Sequence, residues 1–374
     1  MKPEKLLKIT CIVNRLLSEN LRKEAYFMGI PLLFVQPARS TLLREKRFML
    51  DYRSSTVVEE LRSDIFRFYI PRKYELPVLS HLVGALELNQ PGRGSAYSED
   101  VSVYGLPEGI FSSLSMPETR GRKTSLLSDL VGITCIVQRG EGNALARSVL
   151  ERGISAPTVI YGRGMGLRNK LGLLRVTISV DKEVLFFTTQ KQDAEDVIDL
   201  IVNYARLDHP GRGFAYLFPI RRGIIDTRIH LGKTRQLASM EQVIAAIDDL
   251  KNASDWRRKT ASVMVRRGSG RRRYLRDLLN CTLLCREGET EEFVRAAMDA
   301  GAGGATLSRL QCCGGSERSS PDYSAAREMS DLIVSEETAA RFIATLETRG
   351  FYDPRTAGIL EVSSVDQART YLAP

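Results

Sequence analysis

The stretch "ARLDHPGRGFAYLFPI" (residues 205–220) decides how this chain is organised. It reads as the end of a helix, a glycine turn and an aromatic-rich strand. A near-copy, "ELNQPGRGSAYSEDV", stands at residues 87–101. The same Pro-Gly-Arg-Gly turn, followed by Ala-Tyr in matching context, points to internal duplication.

Reading backwards from each turn extends the match. Before Pro210, "QKQDAEDVIDLIVNYARLDH" (190–209) spaces Val197, Ile198, Leu200, Ile201 and Tyr204 as a helix face. Before Pro91, "PRKYELPVLSHLVGALELNQ" (71–90) carries a similar stripe, with Pro77 placed where a first turn tolerates it. A third copy is degenerate. "SEETAARFIATLETRGFYD" (335–353) precedes Pro354, but Arg355, Thr356 and Ala357 replace the glycine turn before the strand "GILEVSSV" (358–365).

The N-terminal halves align as well. "LKITCIVNRLLSENLRKEAYFMGI" (7–30), "VGITCIVQRGEGNALARSVLERGI" (131–154) and "NCTLLCREGETEEFVRAAMDAGA" (280–302) each give a strand, a polar break and a helix. Gly29, Gly153 and Gly301 follow these helices, where a C-cap favours positive φ. Each copy then offers two more strands. The first set is "PLLFVQPA", "APTVIYGRG" and "GATLSRLQ"; the second is "DIFRFYIP", "KEVLFFTTQ" and "REMSDLIVS".

This order predicts an α+β fold of three ferredoxin-like βαββαβ repeats, packed as an intramolecular pseudo-trimer. The repeats span 5–105, 127–223 and 277–374, each roughly 100 residues, an ordinary domain size. Residues 106–126, rich in Ser, Pro and Gly, form one linker. Residues 224–276 form another, with a helix expected over "SMEQVIAAIDDLKN" (239–252), then Trp256 and a basic run.

Composition narrows the function. No apolar run approaches the roughly 20 residues that span a bilayer, and "MKPEKLLKITCIVNRLL" reads as a first strand and not a signal peptide; a cytoplasmic protein is expected. The net charge of +9 equals the nine basic residues of 257–276, so the rest of the chain is formally neutral. That is a local basic linker and not a global field for DNA. Nucleic-acid or membrane-surface binding through this segment, with Trp256 and Tyr274 as aromatic partners, is the minor alternative.

Cys11 and Cys135 fall in apolar runs and read as core. Cys281 and Cys285 share one face of a strand, and Cys312-Cys313 reads as a loop, with a redox role as the alternative. His81, His209 and His230 are the only histidines and none is near a cysteine pair, so no metal site is expected. No nucleophile elbow, Walker loop or His pair supports catalysis, and no catalytic residue or required cofactor is assigned.

The second copy, through "VGITCIVQRGEGNALARSVLERGI", "TVIYGRG" and "DVIDLIVNYARLDHPGRGFAYLFPI", resembles the P-II family of signal-transduction proteins. The likeness is good for the second copy, fair for the first and weak for the third. It implies a pseudo-trimer holding an adenylyl nucleotide such as ATP or ADP between repeats. It also implies an unidentified target protein, an enzyme or a transporter, controlled through the loops; nitrogen regulation is the family's commonest role. Where the family carries a lysine after the second glycine, this chain has Ser95 and Phe214. The long loop of regulatory members is short in "GRGMGLRNKLGLL".

The candidate ligand residues are Gly92, Arg93, Gly94, Gly211, Arg212 and Gly213 of the two turns, with Arg163 and Gly164 of "YGRGMG". Glycines let backbone approach a phosphate that arginine then pairs. They equally satisfy a tight turn. The expected function is a non-enzymatic sensor. A scaffold that keeps the fold without nucleotide binding is the alternative.

Overall fold

Strand β1 (Glu4–Asn14) shows how the fold is built. Leu7, Ile9, Cys11 and Val13 point one way, and Leu6, Lys8, Thr10 and Ile12 the other; all eight are buried. Side chains alternate along a strand, so such a run must be covered on both faces. The computed structural model describes residues 2–47, 54–115, 125–166, 180–226, 230–231, 274–314 and 325–371.

Three segments run in the same order of elements. The first is β1, α1 (Ser18–Phe27), β2 (Leu33–Arg47), β3 (Ser54–Ile70), α2 (Glu75–Leu86) and β4 (Gly94–Tyr104). The second is β5 (Leu130–Gln138), α3 (Gly142–Leu150), β6 (Thr158–Gly166), β7 (Asp181–Gln190), α4 (Ala194–Ala205) and β8 (Gly213–Ile220), followed by the short β9 (Arg222–Ile224) and β10 (His230–Leu231). The third is β11 (Leu278–Arg286), α5 (Thr290–Asp299), β12 (Gly304–Cys313), β13 (Ala326–Ser335), α6 (Glu336–Thr348), β14 (Ile359–Val365) and β15 (Gln367–Thr370).

Local chemistry sets the helix bounds. Glu195 and Asp196 lie in the first turn of α4, where the helix dipole favours negative charge. Val197, Ile198, Ile201 and Val202 bury its inner face, and Arg206 ends it in the left-handed region. Ser335 caps α6 by accepting from the Thr338 amide. Gly29, Gly153 and Gly301 adopt positive φ after their helices.

Three small ferredoxin-like repeats packed as a pseudo-trimer are not what the chain builds, and that expectation is corrected. The strands join a single 15-stranded sheet, antiparallel except for β10 alongside β2. The physical reason lies at the edges. An isolated four-stranded unit leaves two rows of unpaired backbone groups. Here β4 pairs with β14 and β9, β8 pairs with β15, and β2, β6 and β12 pair with one another. Sequence alternation marks the strands but carries no signal for pairing between distant edges.

The helices cover the outer face. Leu7, Ile9 and Cys11 pack with Leu21, Leu79 and Leu82 of α1 and α2. Ile133 and Cys135 pack with Val149, Ile198 and Ile201 of α3 and α4. Cys281 and Leu283 pack with Phe293, Val294 and Phe342 of α5 and α6. The inner faces meet one another through Ile12, Ile65, Ile160, Val184, Tyr216 and Val365.

The expected helix at 239–252, Trp256 and most of the basic run lie outside the described residues. No helix among the described residues is long and apolar enough to cross a membrane.

Candidate functional site

The two Pro-Gly-Arg-Gly turns adopt the same backbone. Gly92 and Gly211 have φ of 85° and 72°, and Gly94 and Gly213 have 138° and 145°. A Cβ on Gly94 would stand 2.1 Å from the Ile12 carbonyl oxygen, and one on Gly213 would stand 2.1 Å from that of Ile136. Each fourth strand thus starts pressed against the first strand of its segment, as Val13 opposite Gly94 and Val137 opposite Gly213. Gly213→Ala is expected to cost on the order of 3 kcal/mol through this clash and the positive φ. Chemical denaturation reads the loss; a stability unchanged from wild type would contradict the steric account.

The turn arginines bond to the chain itself. Arg93 Nε donates to the Leu86 carbonyl at 2.7 Å and its guanidinium faces Glu87. Arg212 Nη1 lies 2.9 Å from Glu141 Oε1, and Arg355 takes the same part with Glu289 at 3.6 Å. The Gly92 amide donates to Asp226 Oδ1 at 2.8 Å, so the first turn already holds a carboxylate.

Arg163 and Gly164 lie elsewhere, where segments meet. "YGRGMG" forms the end of β6. Three such joints share one register. Arg39 of β2 stands opposite Val159, Arg163 of β6 opposite Leu307, and Gln311 of β12 opposite Val35. The first joint is closed. Arg39 is buried, its Nη2 donating to Glu183 Oε1 at 2.8 Å, and Glu183 Oε2 accepts from the Gly140 and Gly142 amides at 3.1 and 2.7 Å. At the second joint Arg163 is exposed. Beside it on the same strand face is Tyr161, 57% exposed, with the guanidinium groups of Arg39 and Arg139 at 4.7 and 5.4 Å from its ring centroid. Arg309, exposed on β12, adds charge two residues past Leu307.

At the centre the inner faces line a cavity of about 50 Å³ whose walls are both polar and apolar. One threonine from each segment lines it at the same register: Thr10, Thr134 and Thr282. Their cross-strand neighbours differ. Thr10 lies between Arg67 and Tyr97, Thr134 between Phe186 and Tyr216, and Thr282 between Asp331 and Glu361. Lys8 Nζ donates to Glu361 Oε1 at 2.6 Å and lies 3.4 Å from Glu99, while the Tyr69 hydroxyl donates to Glu361 Oε2 at 2.9 Å. Thr282 donates to Asp331 at 2.7 Å.

Burial alone would lower the Lys8 pKa, but Glu361 and Glu99 outweigh it and hold the ammonium above its ordinary value. Burial raises Glu99 and Asp331, with Lys8 and Thr282 respectively opposing the shift. Gly132, the counterpart of Lys8, lacks a side chain because the Phe218 ring fills that space.

No protein-family model matches this chain, and neither does any curated protein.

The cysteines behave as packing groups. Burial pushes the Cys11, Cys281 and Cys285 thiols up to about 12. Cys312 and Cys313 end strand β12 and do not form a loop; Cys313 accepts from Arg22 at 2.6 Å. Among the described residues no three His, Cys, Asp or Glu side chains gather as metal ligands.

Sequence reasoning missed Arg39 and the whole central cluster. The signal for the cluster was present. Lys8 in "LLKITCIV", Arg67 in "IFRFYI", Asp331 in "MSDLIV" and Glu361 in "ILEVSSV" each interrupt an apolar run. A charge at the centre of a buried strand needs a partner, and Lys8 and Glu361 are partners for each other, while Gln36 and Thr282 serve Arg67 and Asp331.

Proposed function

We propose that the protein is a non-enzymatic regulatory sensor. It binds a small anionic ligand, first among them an adenylyl nucleotide, at the joint between the second and third segments, and acts on a partner protein through the adjoining loops. One observation carries this reading: of two arginines at equivalent register, Arg39 is buried against Glu183, whereas Arg163 is exposed beside an exposed aromatic ring. Guanidinium groups pair phosphate, and an aromatic face stacks a base. The turn arginines, held by Glu87 and Glu141, are less suited to receive a ligand.

Thermal unfolding against ATP, ADP, AMP, cyclic AMP and cyclic di-AMP tests the reading. A ligand at about 100 times its dissociation constant stabilises the folded state by roughly 2.7 kcal/mol, a shift of several degrees. The shift is expected with one nucleotide and lost in both Tyr161→Ala and Arg163→Ala, which alter exposed side chains. No shift with any of them would favour an interaction scaffold.

A further inference from the structure

We propose that the central cavity is a binding site for one monovalent cation, an alkali ion or ammonium. The site is independent of the nucleotide joint.

Every segment contributes to the cavity, so it is a common centre and not a feature of one part. Among its lining groups are two cations, Lys8 and Arg67, and three carboxylates, Glu99, Asp331 and Glu361. Lys8 is committed to Glu361 and Glu99, and Arg67 Nη1 donates to Gln36 Oε1 at 2.8 Å. With all five groups ionised the enclosure carries one unbalanced negative charge, and an unbalanced charge out of water is costly.

A second observation points the same way. Asn280 lines the cavity, is only 7% exposed, and its Oδ1 has no hydrogen-bond partner. A buried orphan acceptor calls for a donor or a cation. The available oxygens are thus mixed: amide from Asn280, hydroxyl from Thr10, Thr134, Thr282 and Ser363, and carboxylate from Asp331.

That mixture sets the class of ion. Divalent and transition metals are held by several closely grouped carboxylate, imidazole or thiolate ligands. No such group of three exists among the described residues. Two fixed cations in the same enclosure also oppose a second positive charge on the guest. A volume of about 50 Å³ exceeds what a single water needs, leaving space for an ion with a remnant of its hydration. Burial raises Glu99 and Asp331, so a proton competes with the cation for this charge.

The test is thermal unfolding of the full chain at neutral pH in equal concentrations of choline, sodium, potassium and ammonium chloride. Choline, larger than the other three cations, holds the ionic strength constant. The expected result is a saturable rise of several degrees with at least one of the three small cations over choline. Ammonium alone would mark recognition by hydrogen bonding; sodium or potassium would mark ionic coordination. The rise should vanish in Asp331→Asn, which keeps the side-chain shape while removing the charge, and in Asn280→Leu, which removes the orphan acceptor. Equal melting temperatures in all four salts would overturn the proposal. So would a cation-selective rise of the same size in both variants, because it would then arise elsewhere.

Discussion

Lys8→Met is expected to destabilise the protein by about 3–5 kcal/mol, the usual cost of stripping one partner from a buried ion pair. Methionine keeps the length and apolar stem of lysine, so packing changes little. What it removes is the ammonium that lies 2.6 Å from Glu361 and 3.4 Å from Glu99. Those two carboxylates would then stay buried without the ammonium between them, leaving Arg67 as the remaining fixed cation of the cavity. Urea unfolding at neutral pH measures the loss. Adding Glu361→Gln should restore part of it, and the coupling in that double-mutant cycle isolates the pair. A cost below about 1 kcal/mol, the value of an exposed pair, would show that the centre is wet enough to screen these charges.

The second large effect belongs to Glu183. Its carboxylate does two jobs, accepting from Arg39 across the first joint and from the Gly140 and Gly142 amides at the start of α3. Gly142 has no side chain for the same reason, since a Cβ there would stand 2.6 Å from Glu183 Oε2. Glu183→Ala leaves a buried guanidinium short of its partner and helix amides uncapped, with an expected loss of about 3–5 kcal/mol. Glu60 at 3.2 Å keeps Arg39 from being wholly unpaired. Glu183→Gln should lose clearly less, because its amide oxygen still accepts from the helix. Equal losses for the two variants would mean that charge, and not capping, is what the site requires.

What was legible in the sequence followed local periodicity. Val197, Ile198 and Ile201 marked α4, and the Pro-Gly-Arg-Gly copies marked equivalent turns, because these signals depend on neighbours in the chain. The partners of Arg163 and Arg39 were not legible. Their placement depends on which edge strand meets which, a matter of backbone pairing between residues far apart in sequence. The central cluster lay between these cases. Lys8 announces that a charge is buried, but only the closed sheet brings Glu361 to it. The glycines of the turns were correctly located, while the steric demand on Gly94 and Gly213 came from carbonyls of another strand.

The pairing of β4 with β14, and of β8 with β15, also dictates when the protein can finish folding. During synthesis the first segment must emerge with an open strand edge and wait for a partner encoded only at Ile359–Val365. Contacts so distant in sequence slow folding, and bare edges invite pairing with other nascent chains. A ribosome stalled before residue 359 would therefore present an unfinished seam, and β14 and β15 serve as the clasp that ends this vulnerable interval.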